Sequence, residues 1–178
     1  STPERTVLID PLADVDLSPL KPVLADAQIR KIFHAADYDI RCLARDFEIE
    51  INGLFDTMIS CQFLGEEKVG LADALNKYFS VELDKQYQRA DWAKRPLIEG
   101  MIRYAAADTA HLHKLVDELE GQLREKGRLE WVMEEFTLLE KARFASTEGA
   151  MFLRFKGAGR LNSRQLAVLE ELLQWRDS

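Results

Sequence analysis

The chain predicts an α/β domain followed by a small helical module, and three observations predict it. Short β-branched, apolar runs alternate with helical patterns through the N-terminal third. The middle of the chain is then almost wholly helical in period. Finally, the charge changes sign: residues 1–140 hold 17 Lys+Arg against 27 Asp+Glu, a balance of −10, whereas 141–178 hold 7 against 4, a balance of +3. A chain of 178 residues is long enough for one ordinary domain and part of another.

Thr6-Val-Leu-Ile-Asp10, ended by Pro11, reads as a buried strand. Ser18 before Pro19 offers a cap and a first helical residue, predicting a helix to about Leu24. Ile29–His34 reads as a second strand, and Ile40, Leu43 and Ala44 then share one helical face. Ile49–Phe55 reads as a third strand, after which Asp56 caps a helix that turns Ile59 and Phe63 inward. Leu71, Leu75 and Phe79 predict an amphipathic helix over Gly70–Phe79, and Val81–Asp91 has no clean period. Pro96 opens a long helical stretch that continues through Met101, Tyr104, Asp108, Leu112, Leu115 and Leu119 to Gly127. A further helix is expected over Leu129–Ala145, with a polar linker at Ser146–Gly149. These readings divide the chain into a core over 1–127, a connecting helix and linker over 128–146, and a basic module over 147–178.

Hydrophobic residues form 47% of the chain and charged residues 31%, which excludes disordered and low-complexity classes. No apolar run approaches the length needed to cross a bilayer. Cys42 and Cys61 are too few for a disulfide framework, and no Cys-x-x-Cys pair is present, so a reducing cytoplasm is expected. The acidic body argues against non-specific binding of nucleic acid by the whole molecule, since that affinity comes from clustered cations. Carboxylates that hold a divalent ion would carry negative charge for a different reason.

Taken singly, the polar residues read blandly. Asp39 enters a helix, where an Asp is commonly a cap. Tyr104 and Asp108 are four apart and share a helical face, as surface pairs often do. His34, at the end of an apolar run, reads as a core histidine. Asp56 also reads as a cap.

Their combination says more. His34-Ala-Ala-Asp-Tyr-Asp39, Leu54-Phe-Asp-Thr-Met-Ile59, Gln88-Arg-Ala-Asp-Trp-Ala-Lys-Arg-Pro-Leu97 and Tyr104-Ala-Ala-Ala-Asp108 resemble, in order and spacing, the ribonuclease D family of 3′–5′ exonucleases. Tyr104-x-x-x-Asp108 is similar to the third motif of the tyrosine-containing DEDD subgroup, and the segment ending in Asp39 to the second. Phe152–Leu169 resembles the opening of an HRDC domain, a helical nucleic-acid-binding module.

The resemblance implies a ribonuclease H-like α/β fold and phosphodiester hydrolysis at RNA 3′ ends, of the kind that matures tRNA. It implies a divalent metal, magnesium or manganese, held as two ions in the complete family enzyme. Asp39 and Asp108 are the implied metal ligands, and Tyr104 the implied orienter of the attacking water. Two hard cations about 4 Å apart stabilise both the entering and the leaving oxygen, and carboxylates are their natural ligands. Gln88, Trp92 and Arg95, with His34, are candidates to line the path of a single strand, although Trp92 is equally suited to packing the irregular stretch onto the core. Lys156, Arg160 and Arg164 flank a glycine-rich turn and are candidates for phosphate contacts, or else a solvated surface.

Two elements depart from the pattern, mildly at Ala35, where related exonucleases often carry Asn after His, and more fully at the first motif. The family's first motif, Asp-x-Glu on the first strand, belongs upstream of Val7–Asp10, and these residues are absent here. The expectation is therefore a core without its first strands, an HRDC module represented by its first helices, and a chain inactive by itself. An exposed sheet edge would then favour oligomers. The alternatives are a non-catalytic RNA-binding or adaptor protein on the same scaffold, and a DNA 3′–5′ exonuclease.

Overall fold

The structure, a computed structural model, describes residues 1–144 and 149–177. It divides into two compact units, 1–143 and 144–178. In the first, α1 (Leu20–Ala25) leads to β1 (Lys31–Phe33), α2 (Asp37–Phe47), β2 (Leu54–Asp56) and α3 (Thr57–Leu64), followed by α4 (Leu71–Phe79), α5 (Glu99–Ala110), α6 (Leu112–Glu125) and α7 (Leu129–Leu139). In the second, two short 3₁₀ turns, Met151–Arg154 and Ala158–Arg160, precede α8 (Ser163–Asp177).

β1 and β2 pair in parallel, with Lys31 opposite Leu54 and Phe33 opposite Asp56. Their crossover is α2, as a parallel pair requires. Entry into β2 needs a glycine, because Gly53 has φ +73° and a Cβ there would meet Ala27 O and Ile29 O at 2.9 and 2.8 Å. Beyond β2, the Glu140 carboxylate accepts from Leu54 N at 2.9 Å, which occupies a sheet-edge donor.

Helix α6 is the spine of the first unit. Leu115, Leu119 and Leu123 repeat every four residues on one stripe and are wholly buried, each contributing about 1.5–3 kcal/mol by leaving water. Helix α3 lies against α6, and its last carbonyls are satisfied by two cations from the α6–α7 connection: Lys126 Nζ donates to Leu64 O at 3.0 Å and Arg128 to Phe63 O at 2.6 Å. Helix α7 buries Val132 and Phe136, and the Phe136 ring meets Phe55 of β2 at 5.0 Å. The helix set apart by sequence as a connector is thus part of this core.

Several sequence expectations need correction. Thr6–Asp10 forms no strand, and Val7, Leu8 and Ile9 are exposed, because no described strand offers this run a ladder. The strands expected over 29–34 and 49–55 shrink to three residues each. Helix α1 starts at Leu20 with Pro19 as its cap residue, while Ser18 is occupied by Asp16, to which its hydroxyl donates at 2.8 Å. The single long helix expected to Gly127 is two, broken at His111. Helix α3 buries Ser60, Cys61 and Leu64, leaving Ile59 and Phe63 only partly covered. Helix α7 ends at Leu139, and Ala145 and the linker residues 146–148 lie outside the described residues. No described helix is long and apolar enough to cross a membrane.

In the second unit, Asn162 and Gln165 close α8 reciprocally: Gln165 N donates to Asn162 Oδ1 at 3.0 Å and Asn162 N to Gln165 Oε1 at 2.9 Å. Glu170 of α8 accepts from Phe152 N at 2.9 Å, tying the first 3₁₀ turn to the helix.

Candidate active site

A cleft of about 810 Å³ opens at the C-terminal end of β1, between α2 and α5. Where β1 ends, the chain turns through His34 and Ala35 into α2, whose first turn carries Asp39. The opposite wall is α5, on which Tyr104 and Asp108 sit one turn apart. Asp39, Tyr104 and Asp108, from two segments far apart in sequence, therefore line one cleft. Gln88 reaches it from the irregular stretch between α4 and α5, as does Asp84, and Asp73 reaches it from α4.

The two central carboxyls share an electrostatic condition. Burial pushes Asp39 above the ordinary carboxylate range, and the nearby Asp56 carboxylate adds to the shift. Asp108 is also raised, by burial. The Tyr104 hydroxyl is raised by burial and then by the Asp108 charge, so it stays a neutral phenol that can donate a hydrogen bond at neutral pH. Two carboxyls raised in this way on one cleft are oxygen donors suited to a cation, and Lys85 lines the same cleft.

Oxygen donors of this kind suit a hard divalent ion, but their number does not close a site. Among the described residues no group of three His, Cys, Asp or Glu side chains could hold a metal ion. Asp39 and Asp108 fit such an ion in chemistry and supply only part of its coordination shell.

Three candidates make contacts within the chain itself. His34 borders the cleft, but its Nδ1 lies 2.9 Å from Thr57 Oγ1, whose hydroxyl in turn donates to Phe33 O at 3.0 Å. On that arrangement Nδ1 carries the proton, and Nε2 is buried. Trp92 packs instead of facing the cleft: its ring lies 5.9 Å from Tyr104, its Nε1 donates to Tyr87 O at 3.1 Å, and Tyr87 meets Tyr104 edge-on at 6.3 Å. Arg95 grips Asp10 with Nε at 2.6 Å and a terminal nitrogen at 2.5 Å, and its other terminal nitrogen donates to Trp92 O at 2.7 Å. That fork is engaged by the chain itself. In the second unit Lys156, Arg160 and Arg164 are all exposed, around Gly157 at φ +99°.

Asp56 is a cap, as its position predicts, accepting from Met58 N and Ile59 N at 2.8 and 3.2 Å. It also accepts from Ala35 N and Ala36 N. Asp73 and Asp84 also line the cleft, and neither stands at a sequence spacing that distinguishes it from a surface acid.

Residues 1–124 match the model of a 3′–5′ exonuclease family. The chain is 36% identical to ribonuclease D of Escherichia coli over 176 residues, 97% of this chain and 47% of that protein. The crystal structure of E. coli RNase D, described as an exoribonuclease involved in structured RNA processing, superposes with a TM-score of 0.80 at 34% identity, covering 94% of this chain and 45% of that one. The catalytic core of RRP6 from Trypanosoma brucei superposes with a TM-score of 0.71 at 37% identity, over 88% of this chain and 45% of that one. NrnC of Brucella melitensis with bound Mg²⁺ does so with a TM-score of 0.64 at 29% identity, over 69% and 60%. The chain thus spans less than half the length of the curated ribonuclease D relatives it matches. With the family model matched over most of its length, this chain belongs to the family of 3′–5′ exonuclease domains, and it is similar to the ribonuclease D proteins among its relatives.

Proposed function

We propose that the protein is a metal-dependent exoribonuclease that removes nucleotides from single-stranded RNA 3′ ends, in the manner of tRNA maturation. The observation that carries this reading is the convergence of Asp39, Tyr104 and Asp108 on one cleft. A divalent ion, magnesium or manganese, would supply charge stabilisation at the scissile phosphate. Asp39 and Asp108 would hold it together with ligands from the family's first motif, which these 178 residues do not carry. The neutral Tyr104 phenol, one turn before Asp108, orients the attacking water by hydrogen bonding. Gln88, on the irregular stretch, borders the same cleft and would contact the strand there. We assign residues 147–178 to the start of an HRDC module, whose exposed Lys156, Arg160 and Arg164 contact phosphates without reading bases.

The test is digestion of a 3′-tailed RNA by a longer chain supplying Asp-x-Glu upstream, with Mg²⁺ or Mn²⁺. Asp108→Ala should abolish digestion, and the 178-residue chain by itself should show none. Undiminished digestion by Asp108→Ala would overturn the site. A matched DNA oligonucleotide degraded as fast as the RNA would overturn the RNA assignment while leaving the nuclease intact.

A further inference from the structure

The turn that delivers Asp39 to the cleft is held by a single buried carboxylate. Asp56 is fully buried, and its Oδ2 accepts from Ala36 N at 2.7 Å while Oδ1 accepts from Ala35 N at 3.2 Å. These amides lie 20 and 21 residues before it. Capping α3 uses only Oδ1, through Met58 N and Ile59 N. Charge and burial of the second oxygen therefore serve the turn between β1 and α2.

That turn is strained. Ala35 has φ +65°, a left-handed conformation that residues with a Cβ adopt reluctantly. Ala36, next in the chain, is the cap residue of α2, and Asp39 follows in the first turn. The parallel register sets Asp56 opposite Phe33, two residues before the strained position, so the sheet brings the acceptor to the turn. Strain of this kind persists only where surrounding bonds enforce it.

We propose that Asp56 is a positioning residue for Asp39: its carboxylate straps the left-handed Ala35 turn to the start of α3 and so fixes where Asp39 stands in the cleft. Its importance for turnover rests on the exonuclease reading above; the strap itself does not. Asp56→Asn keeps Oδ1 as the acceptor for α3 and for Ala35 N and turns an NH₂ group toward Ala36 N, breaking the strap at Ala36 while retaining the cap.

The experiment combines amide hydrogen exchange with kinetics on the full-length protein. In the wild type, Ala35 and Ala36 amides should exchange at least about 100-fold more slowly than free surface amides. In Asp56→Asn the Ala36 amide should lose this protection while Ala35, Met58 and Ile59 stay protected, and kcat should fall about 10- to 100-fold with KM for RNA little changed. Adding Ala35→Gly, which takes φ +65° without help, should recover about tenfold of that loss, a rescue that a general loss of stability would not show. Ala35 is exposed, so Ala35→Val gives a second variant with an intact core, expected to lower kcat because a β-branched residue resists this conformation. Fast exchange at Ala36 in the wild type overturns the strap, even if the protein proves not to be an exonuclease. Wild-type kcat in Asp56→Asn, failure of the glycine rescue, or wild-type kcat in Ala35→Val overturns the positioning role. Should Asp56→Asn not fold, wild-type exchange and Ala35→Val decide the matter.

Discussion

The two walls of the cleft are built by different means. The Asp39 wall grows out of the core: β1 and β2 set its register, the buried Asp56 binds it, and Phe55, beside Asp56, packs on Phe136 beneath it. On the other side, Tyr104 rests on Tyr87 and Trp92 from a stretch with no regular structure, and that stretch is moored at the surface by Arg95 on Asp10. Buried support predicts that the first wall opens only with global unfolding, whereas surface support predicts that the second opens locally at lower cost. Two halves of one site can thus have separate stabilities, set by whether their supports are buried.

The largest effect should come from cutting the core beneath the first wall. Phe55→Ala removes a ring that is 1% exposed, with Arg30 stacked 5.4 Å over it and Phe136 beside it. Denaturant unfolding should show a loss of about 3–5 kcal/mol. A loss below about 1 kcal/mol would mean that this wall is not anchored in the core after all.

Trp92→Ala tests the other wall. Global stability should drop by only about 1 kcal/mol, the scale of an aromatic contact, while amides over 81–98 lose protection and those of α2 keep theirs. Equal loosening on both sides would erase the distinction between the walls.

The smallest expected effect is one of pH. Burial holds the His34 imidazole below its ordinary value of 6.5, with the Asp56 carboxylate partly offsetting this. Protonation is then harder in the folded chain than in the unfolded one. The stability tied to the neutral ring is complete above the unfolded value and is lost as the pH falls through it toward the lower, folded value. Melting temperature should decline between about pH 7 and pH 5, and His34→Gln should flatten that decline. An identical slope in the variant would show that other groups set it.

What the sequence made legible follows from where each signal resides. Helices α2 and α4 were readable because their apolar residues recur on one face, and the Asp56 cap because its position announced it. The break at His111 was not, since buried Met101 on one side and Leu112 and Leu115 on the other continue a plausible helical pattern across it. Thr6–Asp10 has strand composition, but a strand also needs a neighbour, which composition does not encode. Asp39, Tyr104 and Asp108 were found through the motifs they share with a family. The second duty of Asp56 stayed hidden because capping alone accounts for an Asp at that position. Arg95 looked available for phosphate until the fold supplied Asp10.

The interruption at His111, where the backbone has φ −105° and ψ −1°, bears on how the cleft adapts to what enters it. Helix α6 is sunk in the core while α5 buries only Met101, so flexing at the joint swings α5 and leaves α6 still. Tyr104 and Asp108 ride on the same rigid rod. Their mutual geometry would be conserved through any such swing, while their distance and angle to Asp39 would change together, Tyr104 travelling further than Asp108 because it lies further from the joint, as with pliers whose one jaw is fixed.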